Sequence, residues 1–181
     1  MSTTKSAAAA QSDSSEESAL KELFIEELKD IYWAESHLVK NMPTLAKATT
    51  SAPLLKAFET HLAQTKEQVT RLEQVFESIG EEASAKKCEA MNGLVKEALE
   101  MIEDTKEGTL TRDVALISCA QKVEHYEIAS YGTLKTLAGV LGFKQAAGLL
   151  EQTLQEEKDT DSLLTQIAEG SVNQKAKKEK I

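Results

Sequence analysis

The sequence predicts an all-α fold. It reads as a bundle of four long helices, with a long connector between the second and third that carries an extra short helix. Three observations predict it. Ala, Leu, Glu, Lys and Gln dominate the 181 residues and only two are proline, a helix-forming composition. Four long segments place apolar residues three and four positions apart, the spacing of one helix face. No segment alternates apolar and polar residues as a half-buried strand does. The length suits one domain with a sizeable core.

Charge narrows the partners. The formal net charge is −9 and no basic stripe exists, which argues against nucleic acid. No apolar run reaches the length of a membrane span, and no secretory signal opens the chain, so no membrane partner and a cytoplasmic location are expected. Cys88 and Cys119 are isolated and read as reduced thiols rather than a disulfide framework or a zinc site.

In chain order, residues 1–18 are rich in Ser, Thr, Ala and Gln and predict a disordered tail, with Ser14 and Glu17 spaced for a capping box. Residues 19–172 are the expected bundle. The first helix runs from about Ser18 to Ala48 on the stripe Leu20, Phe24, Leu28, Ile31, Glu35, Leu38, Met42, Leu45, and Pro43 is expected to kink it. Ser51 and Pro53 mark the start of the second helix, which Gly80 stops after Ile79. Its stripe is Leu54, Phe58, His61, Thr65, Val69, Leu72, Phe76, Ile79. The connector holds a short helical pattern from Lys87 to Leu99. The third long helix spans about Leu110 to Leu141 and ends at Gly142, on the stripe Leu110, Val114, Ile117, Ala120, Glu124, Glu127, Tyr131, Leu134, Ala138, Leu141. The fourth starts near Phe143 or Lys144 and ends at Gly170, on Ala147, Leu150, Leu154, Glu157, Asp161, Leu164, Ala168. Residues 173–181 read as a frayed, basic C-terminal tail.

Each stripe thus carries a potential metal ligand where a core residue belongs: Glu35, His61, Glu124 with Glu127, and Glu157 with Asp161. A hydrophobic core rejects unpaired charge. In an antiparallel hairpin, residues equidistant from the turn face each other. Glu35 and His61 flank the turn at 49–53 symmetrically, and the Glu124/Glu127 and Glu157/Asp161 pairs flank Gly142 symmetrically. The six residues therefore fall in one layer. Five carboxylates together repel by several kcal/mol per close pair. Two divalent cations would offset most of that charge. Carboxylate and imidazole donors suit iron or manganese, with zinc also possible. His125 lies one step off the stripe, His37 reads as a surface residue, and Tyr131, Tyr32 and Trp33 read most simply as packing residues.

Five segments carry a resemblance: Glu27 to Glu35, Phe58 to Thr65, Lys87 to Met91, Gln121 to Gly132, and Glu156 to Asp161. Together they resemble the bacterial YciF/YciE-type stress proteins, which are ferritin-like proteins of a domain family without an assigned reaction. The resemblance implies a rubrerythrin-like four-helix bundle with a long crossover, a dinuclear metal site and a homodimer. Glu35 and the Glu124-x-x-Glu127 pair match the rubrerythrin pattern. The second helix has His61 without its Glu, since Phe58 stands in that place, and the fourth has Glu157 with Thr160 in place of the His. Two functions are expected: a redox enzyme that oxidises Fe(II) or reduces peroxide, or a metal-stabilised stress protein that works through its helical surface without turnover. Iron storage in a cage is weaker, because no cage-forming helix follows Gly170.

Overall fold

The computed structural model describes residues 18–180, so the Ser14–Glu17 capping box and most of the N-terminal tail lie outside it. Four long helices form the bundle: α1 (Ala19–Ala48), α2 (Ala52–Ser78), α4 (Leu110–Val140) and α5 (Lys144–Ile167). The crossover holds α3 (Glu89–Asp104), and a π-helical turn (Ala168–Val172) leads into α6 (Asn173–Ala176). There is no strand among the described residues. Around the bundle, α1 packs on α2, α2 on α5, α5 on α4 and α4 on α1. Each of these neighbours is antiparallel, because the crossover returns the chain along the bundle before α4 begins. The crossover helix α3 lies outside the ring against α1 and α4.

The helix ends follow local chemistry. Ser18 caps α1, its Oγ accepting from Lys21 N at 3.2 Å. Pro43 lies on the exposed face, and α1 runs on through it. Gly80 and Gly142 sit at φ 78° and 80°, the left-handed conformation glycine allows, and the amides after them fold back onto Phe76 O and Ala138 O. Phe24 meets Phe143 at that end of the bundle, ring centroids 5.9 Å apart.

Helix α4 is buried on two sides, which explains its second apolar row. Leu116, Cys119 and Val123 are buried as well as Ile117, Ala120, Leu134 and Ala138. A helix flanked by α3 on one side and by the bundle on the other needs no strongly polar face.

Three polar fastenings set the ends. Ser51 makes no capping bond with its own side chain. The carboxylate of Asp113, fully buried near the start of α4, accepts instead from Thr50 N and Ser51 N, both at 2.7 Å. Arg112 donates to Ile102 O at 2.9 Å and to Thr105 O, which satisfies carbonyls at the end of α3. The carboxylate of Glu179 accepts from Leu110 N (2.8 Å) and Thr111 N (2.9 Å), capping α4 from outside.

The fourth helix departs from expectation at its end. Gly170 does not stop it. Gly170 keeps a negative φ, the π-helical turn carries the chain past it, and Val172 is buried at 1% exposure. Residues 173–180 are therefore held against α4 by Val172 before them and Glu179 within them.

Asp113→Ala should leave two backbone N–H groups of the α1–α2 turn without their acceptor. We expect a loss of about 2–4 kcal/mol in the unfolding free energy from guanidinium titration. A loss below about 0.5 kcal/mol would show that water serves that turn as well.

Candidate metal centre

The layer predicted on the stripes lies halfway along the bundle. Glu35 (α1), His61 (α2), Glu124 and Glu127 (α4) and Glu157 (α5) are all buried, none more than 5% exposed. His61, Glu124, Glu127 and Glu157 each offer one donor atom, and these atoms lie within 4.8 Å of one another. Helical geometry explains why. Glu124 and Glu127 are three residues apart on one face, and His61 and Glu157 reach them from the two other sides of the ring.

Glu35 stands beside this group. Its Oε1 accepts from the Tyr131 hydroxyl at 2.5 Å. Tyr131 is fully buried one turn beyond Glu127 on the same face. Glu157 Oε1 accepts from Gln68 Nε2, also at 2.5 Å.

Most of the other donors have no partner. Glu35 Oε2, both ring nitrogens of His61, Glu124 Oε2, both oxygens of Glu127 and Glu157 Oε2 are buried without a hydrogen bond. Buried polar groups are nearly always bonded, so seven such atoms in one layer call for an explanation.

Burial dominates the electrostatics. It raises the carboxyls of Glu35, Glu124 and Glu127 well above the usual range, with the neighbouring acids adding to it. Glu157 is pushed up to about 7 by burial, against the Gln68 hydrogen bond and the Arg71 charge, which pull it down. Burial also lowers His61 to about 4. His61 Nε2 is 3.2 Å from Glu124 Oε1 without hydrogen-bond geometry. With the imidazole neutral, this contact is not an ion pair, and a neutral imidazole is the form that binds a metal.

Asp161 is not among the atoms brought together. It is one turn beyond Glu157 but its side chain is 24% exposed, 3.4 Å from His125 Nε2 and within 3.3 Å of Gln121 Nε2. Thr160, three residues after Glu157 instead of four, takes the inward place. His125 is exposed, and His37 stacks on Trp33 with centroids 4.5 Å apart.

The stripe on α2 turns further inward than Val69 suggests. Gln68 and Arg71 are buried, and Val69 is half-buried. Arg71 grips Glu156 at 2.8 and 3.0 Å and donates to Thr153 at 2.7 Å. Gln68 Nε2 bonds Glu156 (3.1 Å) as well as Glu157, so the α2–α5 seam passes directly to a site carboxylate. Burial alone would raise Glu156; Arg71 and Gln68 more than offset it and leave the carboxyl below its usual value. The sequence signal was present, since Gln68 follows Thr65 by three residues. On the other side, Tyr126 donates to Asp30 at 2.6 Å and lies 3.0 Å from Cys88 Sγ, which caps α3. The crossover is thereby tied to the residue preceding Glu127.

Carboxylates with an imidazole form a donor set for iron, manganese or zinc. The unpartnered oxygens and nitrogens fit such an ion better than they fit a dry core.

Comparison with known proteins agrees. A family model described as a domain of unknown function, DUF892, matches residues 19–177. The chain is 50% identical over 161 residues to Protein YciF of Escherichia coli K12, covering 87% of this chain and 95% of that protein. The crystal structure of the E. coli stress protein YciF superposes with a TM-score of 0.82 at 49% identity, over 87% of this chain and 99% of that one. The structure of YcfI from Rhodopseudomonas palustris matches with a TM-score of 0.79 at 36% identity, over 84% and 96% of the two chains. A Xanthomonas campestris protein at 22% identity shares the fold, with a TM-score of 0.67, over 91% of this chain and all of that one. With its bundle, its crossover helix and its buried acidic layer in place, the chain belongs to the DUF892 family as a YciF-type ferritin-like protein.

Proposed function

We propose that this protein is a stress-response protein whose buried layer binds two divalent cations, iron first, with manganese or zinc as alternatives. One observation carries the reading: seven unpartnered donor atoms on four helices in a single layer. Glu35, His61, Glu124, Glu127 and Glu157 would hold the ions, and Asp161 would stand at the edge of the layer. Bound iron or manganese would supply electron exchange with dioxygen or peroxide, so the activity that fits is oxidation of Fe(II) or reduction of peroxide. The chain itself binds and orients the ions and keeps the layer dry. A cytoplasmic homodimer completes the proposal. Both cysteines are free and buried, in keeping with a reducing compartment. No helix among the described residues is long and apolar enough to cross a membrane.

A second reading is a metal-stabilised protein without turnover. What favours it is the surface. The cavities of about 490 and 540 Å³ are lined by residues such as Ile117, Gln121 and His125, or Lys66, Arg71 and Gln152, and by none of the five layer donors.

Protein purified without added metal should carry iron or manganese on elemental analysis. Glu124→Ala combined with Glu127→Ala should lose nearly all of it. Steady peroxide consumption that disappears in the double variant selects the enzyme. Metal-dependent melting without consumption selects the structural role. A metal-free protein whose stability ignores added Fe(II), Mn(II) and Zn(II) would sink both.

Proton linkage gives a further expectation. A carboxyl raised to about 7 on folding, as Glu157 is, contributes stability below its unfolded value that is lost as pH rises through 7. Glu35, Glu124 and Glu127 act in the same direction. His61 is lowered, so it opposes them only below its ordinary value of 6.5. The metal-free protein should therefore melt at a higher temperature at pH 6.5 than at pH 8. Saturating metal should reverse that slope, because ions bind the deprotonated ligands. Scanning calorimetry across that window reads both signs.

A further inference from the structure

We infer that the two ion positions are unequal, and that hydrogen bonds from Tyr131 and Gln68 make them so. This rests on the metal-binding reading and concerns the order and strength of loading. The argument is a count of available donors. The four-residue group can serve a first ion from partnerless atoms alone: a ring nitrogen of His61, Glu124 Oε2, Glu157 Oε2 and one oxygen of Glu127. Four donors satisfy an ion of this type.

A second ion then finds two partnerless carboxylate oxygens, the other oxygen of Glu127 and Glu35 Oε2. The neutral amide oxygen of Gln68 is also partnerless but brings no charge. The oxygens that would complete the second set are already engaged. Glu35 Oε1 is held by the Tyr131 hydroxyl, and Glu157 Oε1 by the Gln68 amide, each at 2.5 Å. Both donors are fully buried, so water cannot easily take over their bonds. A second ion must either displace them or accept fewer protein ligands. Either way it binds more weakly than the first. Tyr131 and Gln68 are positioning residues: they set which carboxylate oxygens are free, and they need touch no ion.

The test is a calorimetric titration of metal-free, full-length protein with Mn(II), with native mass spectrometry counting ions per chain. The wild type should load one ion first and a second only at concentrations at least about tenfold higher, the scale on which one hydrogen bond to a charged group is felt. Tyr131→Phe keeps the ring and removes the donor, so the gap between the two steps should narrow about tenfold. Should that variant fold poorly, Gln68→Leu makes the same prediction from the α2 side. A merely structural role would shift both steps together. Two equal steps in the wild type, or a gap that stays or widens in the variants, overturns the inference while leaving metal binding intact. No Mn(II) uptake by the wild type overturns both.

Discussion

A charged carboxylate is costly to bury alone, and this bundle buries four on its axis beside one neutral imidazole. That layer constrains the rest of the molecule. It forces the carboxyls toward their protonated forms when no cation is near and leaves seven donor atoms without partners. The apolar residues above and below it, such as Leu28, Leu54, Leu134 and Leu150, supply the burial that holds these groups in place. A protein selected only for stability would fill the layer with Leu and Ile, because replacing buried charges with apolar residues is often neutral or stabilising. Retaining the acids therefore points to a ligand.

The polar bonds around the layer divide into two kinds. Some secure the frame at a distance. Asp113 closes the α1–α2 turn, Arg112 ends α3, and Glu179 caps α4. Others reach the layer itself. Arg71 holds Glu156, Gln68 links Glu156 to Glu157, and Tyr131 holds Glu35. The second kind decides which oxygens face an ion. Fixing ligands through their outer hydrogen bonds is how proteins tune metal sites, and such partners matter nearly as much as the ligands.

Much of the fold was legible because it is written in local signals. Glycines in the left-handed conformation stop α2 and α4, Ser18 starts α1, and a three-and-four spacing marks each buried face. Charges on an apolar stripe were equally visible, which is why Glu35, His61, Glu124, Glu127 and Glu157 could be picked out and set at one height by hairpin symmetry. Gly170 shows where a local signal fails. Its power to end a helix depends on adopting a positive φ, and the burial of Val172 together with the grip of Glu179 keeps the chain helical instead.

By itself, then, the sequence determined the helices, their antiparallel pairing and the existence of a polar layer, since these depend on periodicity and on distance from turns. Tertiary structure alone decided the details of that layer. Three and four residues after Glu157 are equally good neighbours on a bare helix. Only the packing of α5 between α2 and α4 turns Thr160 inward and leaves Asp161 at the edge with Gln121 and His125. The same packing buries Gln68 and Arg71, polar residues that periodicity alone assigns to the surface. Hydrogen bonds between helices then choose the free oxygens, and no spacing within one helix encodes that choice.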